Sequence, residues 1–84
     1  MMNYSKNHLQ SLSPDERREV EEENLRSVEA ACNKLFTETA TYREALTQGK
    51  STSLAAERVA HAISGFEKVN IAFRTTCYWL GRHF

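Results

Sequence analysis

The chain has 84 residues, 11 basic and 11 acidic, for a formal net charge of zero. That allows one small domain and removes the usual electrostatic footprint of a nucleic-acid binder, which needs a basic surface to displace counterions. No apolar run approaches the ~20 residues of a membrane span, and Met1 to Leu12 has one lysine and no apolar core, so it does not read as a secretory signal. Two cysteines far apart in sequence fit a reducing compartment, and the protein reads as cytoplasmic. One proline and three glycines leave few places to break a helix, so an all-α fold is expected. At this length a single core is marginal, and small chains add disulfides, metals or a second chain.

Met1 to Leu12 is polar apart from its methionines, Tyr4, Leu9 and Leu12. It reads as a loosely ordered arm or a short helix folded back. Ser13-Pro14-Asp15-Glu16 is a helix start. The Ser13 hydroxyl can cap, Pro14 suits a position whose N–H has no use, and Glu16 stands where a capping box needs it. A hydrophobic staple is not available, because the N4 position is Arg17. From Asp15 to Asn24 only Val20 is apolar, so the first three turns read as solvated. Then Leu25, Val28, Cys32, Leu35, Thr39, Tyr42 and Leu46 step by three and four, widened by Ala31 and Phe36.

Gln48 to Ser53 is the interruption. Gly49 can leave a helix through positive φ, and Thr52 or Ser53 can cap the next one. A second seam follows: Ala56, Val59, Ile63, Phe66, Asn70, Phe73, Cys77, Leu80 and Phe84. The expected fold is an antiparallel helical hairpin of two long helices with a short N-terminal arm or helix. The expected boundaries are 1–12 for the arm, 14–48 for helix one and 53–82 for helix two. The whole of 1–84 is one helical domain.

Catalytic and metal signals are weak, and no cofactor is implied. His8, His61 and His83 are scattered without the i,i+4 spacing of a helical metal site. Cys32 and Cys77 read as small buried apolar residues, since hairpin geometry sets them about nine residues out of register, ~13 Å apart. A disulfide needs Cα atoms within about 7 Å. A bridge between two copies stays open. Asn70 either bonds across an interface and fixes its register, or faces solvent where the seam widens toward Val69.

The end of helix two carries Phe73, Cys77, Tyr78, Trp79, Leu80 and Phe84 opposite the charged start of helix one. That start offers little to cover them. Another chain, a swap or the arm must bury this third of the helix. Tyr78 and Trp79 either complete the core or anchor a protein interface.

A capped charged start, a long first helix carrying Leu35-Phe36 and Tyr42, a glycine-containing loop and a second helix ending Trp79-Leu80-Gly81 form a recognisable layout. It resembles the TraM and QseM type of antiactivator from conjugative plasmids and integrative elements. The aromatic, partly basic tail from Trp79 to Phe84 departs from that pattern. The resemblance implies a non-enzymatic protein that binds a LuxR-type quorum-sensing activator, keeps it from DNA and represses conjugative transfer. By this analogy Asn70, Phe73, Cys77, Tyr78, Trp79, Leu80 and Phe84 form the partner-binding or self-association surface. The alternatives are a small secretion chaperone or co-chaperone, and a structural homodimeric helical bundle.

Overall fold

The computed structural model describes residues 6–82. The order is α1 (Lys6–Gln10), α2 (Pro14–Thr47) and α3 (Ser53–Trp79), and α2 and α3 pack against each other as an antiparallel hairpin. None of the described helices is long and apolar enough to cross a membrane.

Local chemistry explains each end. At the start of α2, the Glu16 backbone N–H donates to Ser13 Oγ at 3.3 Å. The Ser13 N–H donates to Glu16 Oε1 at 3.1 Å, which completes the box. The Ser13 backbone N–H, and after it the Ser13 hydroxyl, hold the Glu16 carboxyl below its ordinary value. α2 ends where Gly49 takes φ 67°. The Gly49 N–H then donates to the Leu46 carbonyl and the Lys50 N–H to the Ala45 carbonyl. α3 ends the same way. Gly81 takes φ 93°, its N–H donates to the Tyr78 carbonyl, and the Arg82 N–H donates to the Cys77 carbonyl. The helix expected to reach Arg82 therefore stops at Trp79. The start of α3 differs from expectation too: Thr52 precedes it without a side-chain capping bond.

The arm is partly helical, and α1 answers the mismatch at the far end of the hairpin. Leu9 is fully buried against Val20 and Leu80, with Leu12 and Trp79 packed around them. Val20, the lone apolar residue of the charged stretch, is thus a core residue. Met1 to Ser5 lie outside the described residues. In place of the missing staple, Arg17 Nη2 donates to the carbonyl of Leu80, the residue that caps the end of α3. Arg82 grips Glu21 through Nε at 3.0 Å and Nη2 at 2.6 Å.

The hairpin is long and thin, 55 × 21 × 18 Å. Its radius of gyration is 16.9 Å, against roughly 12 Å for a compact domain of this length. The buried apolar core is confined to Leu9, Val20, Ala62, Cys77 and Leu80 among the described residues.

The two helices meet along residues that hydropathy alone underrates. On α2 the contact column is Asn24, Ala31, Glu38 and Ala45. On α3 it is Ala55, Ala62, Val69 and Thr76. Each column repeats every seventh residue and is buried or half-buried throughout. Small side chains here let the helix axes approach closely. The expected seam on α2 is only half right. Val28, Leu35 and Tyr42 are half-buried, whereas Leu25, Cys32, Thr39 and Leu46 are exposed. On α3, Val59, Phe66 and Phe73 are half-buried, whereas Ile63 and Asn70 are exposed.

Candidate protein-binding surface

A two-helix hairpin has two broad sides, and here they differ in chemistry. One carries an open groove of about 480 Å³ lined by Ser27, Ala30 and Lys34 of α2 and by His61, Gly65 and Val69 of α3. Ala31, Ala62 and Phe66 also line it, and its rim is charged. At ~100° per residue, Leu25 and Phe36 on α2 and Ile63 and Asn70 on α3 project from the opposite broad side. A shallow hollow lined by Thr39, Tyr42, Leu46 and Val59 continues that side toward the turn.

The second side is apolar. Leu25, Phe36, Leu46 and Ile63 are exposed there, Phe36 to 75%, while Ile71 and Tyr78 are exposed on the back of α3, about 200° round from Val69 and Thr76. The residues beneath the first four are the half-buried Val28, Leu35, Tyr42 and Val59. The exposed stripe runs into these half-buried residues, with Thr39 and the exposed Asn70 as its polar members. Thr39 does not interrupt it, since its hydroxyl donates to the Leu35 and Phe36 carbonyls of its own helix.

The seven residues singled out at the end of α3 separate in the structure. Cys77 and Leu80 are buried inside the chain, at 6% and 3% exposure, and offer nothing to a partner while α1 is docked. Trp79 is half-buried in the α1 cluster. Phe73 is half-buried, and its carbonyl accepts a hydrogen bond from Asn24 Nδ2 at 3.3 Å. Tyr78 and Asn70 are exposed. Phe84 lies outside the described residues. Only Tyr78 and Asn70 are thus presented on the surface as a partner-binding reading requires. Ile71 joins them, projecting one residue further round the helix than Asn70.

The two cysteines part company. Both are free, Cys77 buried and Cys32 exposed, so the expectation of two buried thiols holds only for Cys77. Burial pushes the Cys77 thiol above its ordinary value, Glu21 adds to this, and Arg82 and the Asn24 amide oppose it. The shift marks an inert structural thiol.

Phe36 and Leu46, expected in the seam, are exposed, and Asn24, at the end of the charged stretch, is buried. The signal that separates them is the seven-residue recurrence of small residues from Asn24 and from Ala55. Only where α2 and α3 face each other do those positions decide how close the helices come. Comparison with family models, curated proteins and solved structures finds no match for the chain.

Proposed function

We propose that the chain is a protein-binding antiactivator that acts by stoichiometric association. In this reading it sequesters a LuxR-type quorum-sensing activator, keeps it from DNA and so represses conjugative transfer. The observation that carries the protein-binding part is the set of large apolar side chains left exposed on the hairpin, Leu25, Phe36 and Ile63 on one broad side and Ile71 and Tyr78 on the back of α3. Contiguous exposed apolar surface on a small protein marks an interaction site. Tyrosine suits an anchor, because it brings a large apolar ring with a polar tip. Inhibition by such a surface needs no turnover and no cofactor. The identity of the activator rests on the layout of the capped α2, the glycine-containing turn and the aromatic end of α3.

The test is to titrate the full chain into a complex of a LuxR-type activator from the same genome with its promoter DNA. Release of the activator should saturate near one chain per activator protomer. Tyr78→Ala should raise the concentration needed by about 30-fold, the ~2 kcal/mol of an interface anchor. Activator that stays on DNA at saturating protein would sink the antiactivator reading.

A further inference from the structure

We propose that the groove between α2 and α3 seats one helix of a different protein, a helix with an apolar face and acidic flanks. The groove lies on the other broad side from the exposed Leu25, Phe36 and Ile63, so the inference does not rest on the antiactivator reading.

The chain itself shows what kind of element this side accepts. α1 is seated on it, with Leu9 set against Val20 and Leu80 and beside Trp79. Val20 stands one heptad before Ser27 and two before Lys34, and Trp79 stands two heptads after Gly65. Ser27, Lys34 and Gly65 line the groove. At ~100° per residue these positions share one side of each helix. The groove therefore continues the α1 seat along the same two columns, and α1 fills only the far end. The open part runs from Glu23 to Lys34 on α2, about three helical turns or ~16 Å.

Gly65 shows how close the occupant comes. It lies inside α3, where glycine costs helix stability relative to alanine. Its φ is not positive, and a Cβ built on it would meet nothing within 4 Å. The packing of the hairpin itself therefore gives no reason for a glycine here. Ala30 and Ala31 line the groove from α2 as Ala62 and Gly65 do from α3. Small residues on both walls let an incoming backbone approach both helices. Phe66 and Val69 add apolar area for its side chains. Such a trough takes an amphipathic helix whose anchors step by three and four.

Charge selects the flanks of that helix. Among the residues lining the groove, Glu23 and Arg26 pair with each other at 3.0 Å. That leaves Lys34 on the α2 wall and His61 on the α3 wall. Lys68, one heptad after His61, and Arg58, one heptad before Gly65, are exposed on the same side. Bases thus stand along both rims, and acidic flanks meet them with opposite charge. A second copy of this side would instead set basic rim against basic rim.

Fluorescence anisotropy of labelled peptides titrated with the full chain tests the proposal. The probe is a set of helical peptides of about three to four turns, with alanine, leucine or methionine on one face and glutamate on both flanks. The control set carries lysine on the flanks. The tightest glutamate peptide should bind at least tenfold more tightly than its lysine counterpart. Lys34→Glu combined with Lys68→Glu should reverse that preference. Gly65→Leu, which the open space around Gly65 admits, should fill the groove and weaken binding at least tenfold with helical circular dichroism intact. Tyr78→Ala should leave peptide binding unchanged. Absence of binding across the set, or equal binding whatever the flanks, would overturn the proposal. So would binding that survives Gly65→Leu, because the helix would then sit elsewhere. A sedimentation mass of two chains that Gly65→Leu returns to one would also overturn it, since a second copy would then hold the groove. Release of the activator from DNA is a separate readout, so the antiactivator reading and this one can fail independently.

Discussion

The side-chain amide of Asn24 reaches across the hairpin to the backbone carbonyl of Phe73 at 3.3 Å and lies 3.7 Å from the Cys77 sulfur. Asn24 is a buried polar residue in the contact between α2 and α3. A sliding of either helix would strip its amide of partners. The bond therefore selects one register among those that apolar packing alone would tolerate. Asn24→Ala is expected to lower stability by about 1 to 2 kcal/mol, read as a lower urea midpoint at unchanged slope. A midpoint equal to that of the unmodified protein would mean the register is held elsewhere.

The clamp formed by α1 makes a separate prediction. Leu9 is fully buried although it belongs to a five-residue helix that could not stand alone. Leu9→Ala should cost about 2 to 3 kcal/mol as a buried large-to-small change. Because Trp79 is the only tryptophan and packs on the same cluster, its fluorescence reports the loss directly. The emission should move to the red as α1 lifts away. Trp79→Ala should likewise act first on stability, in contrast to the exposed Tyr78.

The ends of the elements were legible in the residues, and the orientation of their faces was not. Ser13, Glu16 and Gly49 act through bonds within a few residues of themselves, so their roles depend on no distant contact. The phase of an apolar stripe is also local. Which edge of the stripe meets the other helix is a tertiary choice, made here by Ala31, Ala62 and Asn24, whose side chains carry little hydropathy signal. The same competition explains the short end of α3. Gly81 could have been read as a helix stop, but the aromatic run around it carried the pattern onward. Leu9 was hidden because an isolated leucine in a polar arm has no period to reveal it.

The capping box gives a pH prediction with a definite sign. The Glu16 carboxyl is held below its ordinary value, chiefly by the Ser13 backbone N–H and then by the Ser13 hydroxyl. A depressed carboxylate contributes stability at pH values above its unfolded-state pKa and loses it as pH falls through the folded one. The thermal midpoint of the unmodified chain should therefore exceed that of Glu16→Gln at pH 7. The gap should close below the ordinary carboxylate range, near 4.5 and lower. A gap independent of pH would show that the charge of Glu16 contributes nothing.

Glu38 is the member of the inner column that least fits its surroundings. Its Oε2 is buried and has no hydrogen-bond partner, and Glu38 stands between Ala31 and Ala45 in the column that faces α3. An acceptor taken out of water without a donor costs stability that an apolar side chain of similar size would not. Glu38→Leu is therefore expected to raise stability, by about 1 kcal/mol, seen as a higher urea midpoint. The change also separates two roles for the column. If α2 and α3 only need to pack, the leucine variant keeps the oligomeric state and the activator binding of the unmodified chain. If it gains stability but loses either one, the carboxylate is retained for an interaction outside the hairpin, and the contact between α2 and α3 must open or shift to make it.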